Sequence, residues 1–258
     1  MDLQLRGKKA LVTGSTAGIG KAIAVALAAE GAEVVINGRT QARVDAALRD
    51  VPGATGIAAD LGTAAGAAAL VARLPEVDVL VNNLGIFEAK PFAAIPDEDW
   101  LRLFETNVMS GVRLTRAFLP AMLRKKFGRV IFISSESALQ IPAEMVHYGV
   151  TKTAQVALAR GIAEGIPASG VTVNSVLVGP TRSEGVGNFV AALARQQSRT
   201  AAEVEKLFFE KMRPSSLLQR FETPEEVAAL VTFLCSPLAS GTTGSAVRVD
   251  GGVVRSIV

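Results

Sequence analysis

A chain of 258 residues that is 49% hydrophobic and 20% charged carries enough apolar material for a substantial core, which excludes a disordered chain. Its net charge of +3 is a mild excess. The densest basic run, Arg124 to Lys126, has no interleaved aromatic residues, so nucleic acid is not an expected partner. A single cysteine, Cys235, excludes an internal disulfide and a cysteine-rich metal site; it reads as a small buried apolar residue, and no metal is expected.

Apolar runs such as "AIAVALAA" are too short to cross a bilayer. The N-terminal "MDLQLRGKKALVTG" has no apolar h-region followed by a cleavage site. The expectation is a cytoplasmic protein with no membrane partner.

In chain order, "ALVTG" (10–14) reads as the first strand, and "TGSTAGIG" (13–20) turns it into the helical "GKAIAVALAAEG". Further strand candidates are "EVVIN" (33–37), "TGIAAD" (55–60), "VDVLVNN" (77–83), "RVIFISS" (129–135), "VTVNSVL" (171–177) and "SAVRVDG" (245–251). Helical segments separate them. Continuous apolar strands alternating with helices imply parallel strands covered on both faces. The predicted fold is therefore a single α/β domain over 1–258, a doubly wound (Rossmann-like), mainly parallel seven-stranded sheet with helices on both faces. Residues 179–222 break the alternation, and a connection of this length reads as a substrate lid.

The glycine turn spaces its glycines as G-x-x-x-G-x-G. Gly14, Ser15, Thr16, Gly18, Ile19 and Gly20 place backbone near the start of a helix, where a pyrophosphate is favoured. The second strand ends "VVINGRT", with Gly38 and Arg39 where an NAD-binding fold would carry an acidic residue. A guanidinium there suits the 2′-phosphate of NADP(H), with NAD(H) as the alternative. Asp60, followed by Leu61, is placed to accept from the adenine amino group or to cap the helix beginning near Gly62.

"HYGVTK" (147–152) sets Tyr148 four residues ahead of Lys152, on one face of a helix. "TGSTAGIG", "NNLG" (82–85), Asn107 in "FETNVMS", Ser135 in "ISSES" and "YGVTK" occur in this order, and together they resemble the short-chain dehydrogenase/reductase family in its shorter branch. The resemblance covers the chain from "KKALVTG" to "VDGG". The YxxxK spacing and the chain length differ from the family's extended epimerases and enoyl reductases.

The resemblance implies that Tyr148 is the general acid in ketone reduction and the base in alcohol oxidation. Lys152 would bind the nicotinamide ribose and lower the tyrosine pKa. Ser135 would hydrogen-bond the substrate oxygen, and Asn107 would hold a water behind Lys152. Asn83, Gly85, Pro180 and Thr181 join the expected cofactor contacts. A homo-oligomer, tetramer or dimer, is implied, with helices around 97–126 and 150–168 as interfaces.

An ammonium beside a phenol favours its ionised form, which suits a residue that titrates near pH ~10 when free. Two departures stand out: Leu84 replaces a small residue in "NNLG", and Val178 replaces a proline in "VLVGPT". His147 is expected to be partly exposed, and Glu136 and Glu144 to be exposed loop carboxylates. Phe87, Ile141, Met145, Val186 and Phe189 are the candidate apolar walls for a small carbonyl or alcohol substrate. The expected activity is an NADP(H)-dependent interconversion of ketone and secondary alcohol. An NAD-dependent alcohol dehydrogenase and a non-catalytic cofactor sensor are the alternatives.

Overall fold

Apolar residues alternate between the two faces of each central strand, so helices must cover both. Ala10, Val12, Val79, Val81, Ile131 and Ile133 face one cluster, while Leu11, Leu80, Val130 and Phe132 face the other. A computed structural model describes residues 1–196 and 199–257, except for the side chains of Glu184, Asn188, Phe189, Ala192 and Leu193.

The strands are β1 (Lys9–Val12), β2 (Glu33–Gly38), β3 (Thr55–Ala58), β4 (Val79–Asn82), β5 (Gly128–Ile133), β6 (Val171–Val178) and β7 (Ala246–Val249). They pair in parallel in the order β3-β2-β1-β4-β5-β6-β7, matching the doubly wound expectation. The chain winds outward from β1 and then returns to place β4 beside it. The carboxyl ends of β1 and β4 thus flank a topological switch point, where such sheets leave a crevice.

On one face, α1 (Gly18–Ala29) lies against α9 (Pro224–Cys235), burying Ile23, Leu27, Val227, Val231 and Leu234. The helix α2 (Gln41–Leu48) adds Val44 and Ala47 to this layer. On the other face, α3 (Ala64–Arg73), α5 (Ser110–Lys125) and α6 (Val146–Glu164) contribute Leu70, Leu114, Phe118, Met122 and Ala159. Cys235 is fully buried, as its neighbours in sequence suggest.

Residues 179–222 hold α7 (Glu184–Gln196) and α8 (Ala201–Lys211), which pack on each other. Threonine side chains set several helix starts: Thr200 and Thr223 close capping boxes with Glu203 and Glu226 at α8 and α9. Between α4 (Asp97–Phe104) and α5 the chain makes a π-helical turn, Glu105–Met109, of the kind that re-aims a side chain. Among the described residues, no helix is long and apolar enough to cross a membrane.

Candidate active site

The turn after β1 is built by side chains that point inward. The Ser15 hydroxyl donates to the Val12 carbonyl at 2.6 Å and accepts from the Asn37 amide at 3.0 Å; the Ser15 amide donates to the Asn37 carbonyl at 2.9 Å. Ser15 is therefore spent on the scaffold, and its neighbours carry the ligand-facing backbone. Asn37 completes the frame by donating to the carbonyls of Ile57 and Ala59, both at 3.1 Å. Gly14 and Gly18 adopt left-handed φ of 59° and 55°, which glycine enters without steric cost. The start of α1 has no side-chain cap, so its first amides remain open to the crevice, a site that favours anions.

At the end of β2, a Cβ on Gly38 would come within 2.4 Å of Thr16 Cγ2. An acidic residue has no room there unless Thr16 moves. Arg39 follows, exposed and without an ion-pair partner among the described residues. Asp60 lies beyond the end of β3: its Oδ1 accepts from the Gly62 amide at 3.1 Å, while the helix cap proper is Thr63. Leu61 is buried in the core.

Asn83 is fixed by its Nδ2, which donates to the carbonyls of Thr13 at 2.9 Å and Gly14 at 3.2 Å. Leu84 does not line the cavity. It is partly buried against the core on the α3/α5 side, with its amide donating to Thr13 Oγ1 at 3.0 Å. Val178 lines the cavity wall and is otherwise buried.

Tyr148, Ser135 and Lys152 share one cavity of about 620 Å³, together with Ala17, Gly18, Ile19, Gly20, Asn83, Gly85, Pro180 and Thr181. Lys152 Nζ donates to the Ile133 carbonyl at 2.8 Å and to Gln155 Oε1 at 3.2 Å. Gln155 in turn donates to the backbone carbonyl of Asn107 at 2.6 Å. The Asn107 side chain clamps Ile86, accepting from its amide at 2.8 Å and donating to its carbonyl at 2.9 Å; it also donates to Thr151 Oγ1 at 3.0 Å. Thr151 and Gln155 escaped the sequence reading. Gln155 lies seven residues after Tyr148 and three after Lys152, so helical spacing alone could have found it.

The electrostatics differ from the simple tyrosine–lysine expectation. Burial, and then the negative charge of Glu136, push the Tyr148 phenol above its ordinary range; the Ser135 hydroxyl and Arg213 pull it back. Burial also lowers Lys152 to about 8, with Glu136 opposing. Lys152 Nζ stands 5.6 Å from the centre of the Tyr148 ring. In this state Tyr148 holds its proton, the form a general acid needs.

Glu136 is not an exposed loop carboxylate. It is 4% exposed, and its Oε2 accepts from the Ser135 hydroxyl, the Ser137 amide at 2.8 Å and the Ser137 hydroxyl at 3.1 Å. Its Oε1 accepts from Arg213 Nε at 2.9 Å. Arg213 follows α8, and its Nη1 also reaches Glu144 Oε1 at 3.4 Å. Glu144 is half-buried on the same cavity wall. His147 is likewise not partly exposed: it is fully buried, edge-on to Trp100 at 5.8 Å, and neither ring nitrogen has a hydrogen-bond partner among the described residues. Burial lowers its pKa.

Of the proposed apolar walls, Phe87, Met145 and Val186 line the cavity, and Phe87 sits edge-on to Tyr148 at 6.1 Å. Ile141 does not line it and is half-exposed over Gly149. The Phe189 side chain lies outside the described residues. Phe208, Met212 and Phe221 complete the wall from the 179–222 segment and were missed because aromatic spacing there also fits plain helix packing.

A family model described as enoyl-(acyl carrier protein) reductase matches residues 14–254. Over their whole lengths, the chain is 50% identical to the uncharacterised oxidoreductase YvaG of Bacillus subtilis (strain 168). It is 34% identical to dehydrogenase/reductase SDR family member 4 of Bos taurus, across 96% of this chain and 88% of that one. Among solved structures, L-sorbose reductase from Gluconobacter frateurii complexed with NADPH and L-sorbose superposes with a TM-score of 0.94 at 30% identity, covering 100% of both chains.

Proposed function

This chain belongs to the short-chain dehydrogenase/reductase family, and we propose that it is an NADP(H)-dependent oxidoreductase that interconverts a ketone and a secondary alcohol, with Tyr148 as general acid/base. The observation that carries the reading is the shared cavity. A protonated phenol, the Ser135 hydroxyl and Lys152 line the same space as the uncapped start of α1. The matched family model is described by an enoyl reductase; Tyr148 beside Ser135 is instead suited to polarising a carbonyl oxygen.

The residues present fit a nicotinamide dinucleotide. Gly18 and Gly20, at the uncapped start of α1, line the cavity, and Gly85 lines it beside Lys152 Nζ, which a Cβ there would approach to 3.4 Å. The start of α1 would hold the pyrophosphate, Arg39 the 2′-phosphate, Asp60 the adenine, and Asn83, Lys152, Pro180 and Thr181 the nicotinamide half. When bound, the cofactor supplies or accepts the hydride.

Tyr148 gives its proton to the carbonyl oxygen as hydride arrives and takes it back in the reverse direction. Ser135 contacts the same oxygen, accepting from an alcohol or, after turning from Glu136, donating to a ketone. Lys152 would hold the nicotinamide ribose, and its ammonium, 5.6 Å from the centre of the Tyr148 ring, favours the phenolate left when the proton is given up. The 179–222 segment closes the substrate end as a lid, supported by Val186, Phe208, Met212 and Phe221 on the cavity wall. NADPH in the L-sorbose reductase complex supports the cofactor choice. Exposed Leu101, Phe104 and Val150 on α4 and α6 support a homo-oligomer, tetramer or dimer, and we read the protein as cytoplasmic.

The test is a titration with NADPH and NADH followed by a ketone-reduction screen. Tighter NADPH binding, with turnover that Tyr148→Phe abolishes, supports the proposal. NADH binding as tightly as NADPH overturns the cofactor choice, and full activity in Tyr148→Phe overturns the mechanism.

A further inference from the structure

The polar groups around the reacting end of the cavity are unevenly divided between donors and acceptors. Ser135 has its proton on Glu136 and also accepts from the Ser137 amide at 3.1 Å, which leaves it a lone pair to offer. Ser137 has likewise placed its proton on Glu136. Glu136 itself is saturated by Ser135, Ser137 and Arg213.

Glu144 is different. Its carboxylate has only the 3.4 Å approach of Arg213 among the described residues, and its side chain is 37% exposed on the cavity wall. Within the arch Arg213 is one cation set against two carboxylates; the other cation on this cavity, Lys152, feels Glu136 and not Glu144, so the unmatched charge is that of Glu144. It faces a space that Phe87, Met145, Phe208 and Phe221 also line.

We propose that the Glu136–Arg213–Glu144 arch makes this site select ketones that are not anionic and that carry a hydroxyl on the carbon next to the carbonyl. The carbonyl oxygen takes the Tyr148 proton. The neighbouring hydroxyl donates to Glu144 or to the Ser135 lone pair. A carboxylate at the same place would meet the unneutralised charge of Glu144 in a partly desolvated space, where like charges repel strongly. An alkyl group there would leave the acceptors without a partner, a loss that sites built for a hydroxyl punish in kcat/KM. Glu144 is then a specificity-determining residue, and Arg213, which follows α8 and lines the same cavity, holds the arch together. This inference rests on the ketone-reductase reading above.

The experiment uses three probes that share a butyl ketone and differ only beyond it: 1-hydroxy-2-hexanone, 3-heptanone and 3-oxoheptanoate, each with NADPH and full-length protein. The expected result is a kcat/KM for the hydroxy ketone at least about tenfold above each of the others. In Glu144→Gln, the penalty on the keto acid relative to 3-heptanone should shrink at least about fivefold. Circular dichroism and NADPH affinity serve as controls that the variant is folded.

A keto acid that is the best of the three overturns the inference, and loss of that advantage in Arg213→Met would show that the guanidinium binds its carboxylate. Equal use of hydroxy ketone and 3-heptanone overturns it as well. Failure to reduce any of the three, or any other ketone, despite NADPH binding defeats the ketone-reductase reading itself.

Discussion

Arg213 Nε lies 2.9 Å from Glu136 Oε1, joining residues 77 positions apart in the chain. Both side chains are nearly buried, at 8% and 5% exposure. The pair ties the end of α8 to the residue that holds the Ser135 hydroxyl. Breaking one side of such a pair leaves a buried charge uncompensated, which costs roughly 3–5 kcal/mol. Arg213→Met should therefore lower stability by about that amount in urea unfolding. The double variant Arg213→Met/Glu136→Gln should recover part of the loss, because the stranded charge is gone. Strict additivity would show that the two groups do not act as a pair.

The limits of the sequence reading follow from this same contact. Tyr148 with Lys152 is a relation within one helix, and the glycine turn is a relation between adjacent elements; periodicity and turn chemistry expose both. The seven strands were legible because each is a short β-branched run, although the third stops at Ala58 and leaves Asp60 in the following turn. Nothing local marks Glu136 as buried, since its partner arrives from a distant segment. The place of His147 beside Tyr148 suggests partial exposure, yet successive residues on a helix point about 100° apart, and α6 turns it toward Trp100. The π-helical turn that aims Asn107 and the inward use of Ser15 with Asn37 are likewise tertiary facts.

Gly38 and Thr16 make cofactor choice a question of space as well as charge. Arg39→Ala should weaken NADPH binding at least about tenfold, the worth of a charge-assisted phosphate contact, and leave NADH nearly unchanged. Gly38→Asp should lose NADPH without gaining NADH, because its Cβ falls 2.4 Å from Thr16 Cγ2. Adding Thr16→Gly should free that space and allow NADH binding to rise. Fluorescence titration of the four proteins checks this; tight NADH binding by Gly38→Asp alone would contradict the steric argument.

Asn107 holds both backbone groups of Ile86, at 2.8 and 2.9 Å, and so fixes the loop that follows Gly85. Asn107→Ala should free that loop while leaving α5 intact. Amide exchange at Ile86 should accelerate, and kcat should fall about 10- to 100-fold through loss of orientation near the reacting centre. Unchanged exchange at Ile86 together with lost activity would assign Asn107 a role in proton supply alone.

Two buried groups give the cofactor-free protein opposite responses to pH. Burial, with Asp250 and Glu226 nearby, raises Glu222 to about 7, and its Oε2 has no hydrogen-bond partner among the described residues. A carboxyl with a raised folded pKa binds more protons folded than unfolded between its ordinary 4.5 and about 7, so stability falls as pH rises across that window. Lys152 runs the other way. Its folded pKa of about 8 lies below the ordinary 10.5, so the unfolded chain binds more protons between them and stability rises with pH there. Near pH 8 both groups exert close to their full cost, on the order of 2–4 kcal/mol each.

Glu222→Gln should thus stabilise the protein relative to wild type at pH 8 and have little effect at pH 5. Lys152→Met should stabilise it at pH 7, with the gain shrinking toward pH 10. Urea midpoints at these pH values decide the matter. A Glu222→Gln effect that is the same at pH 5 and pH 8 would mean that the carboxyl stays in one charge state throughout. The Glu222 backbone pairs with Pro180 and Arg182, at 2.9 and 2.8 Å, so its titration would act directly on the loop proposed to hold the nicotinamide half.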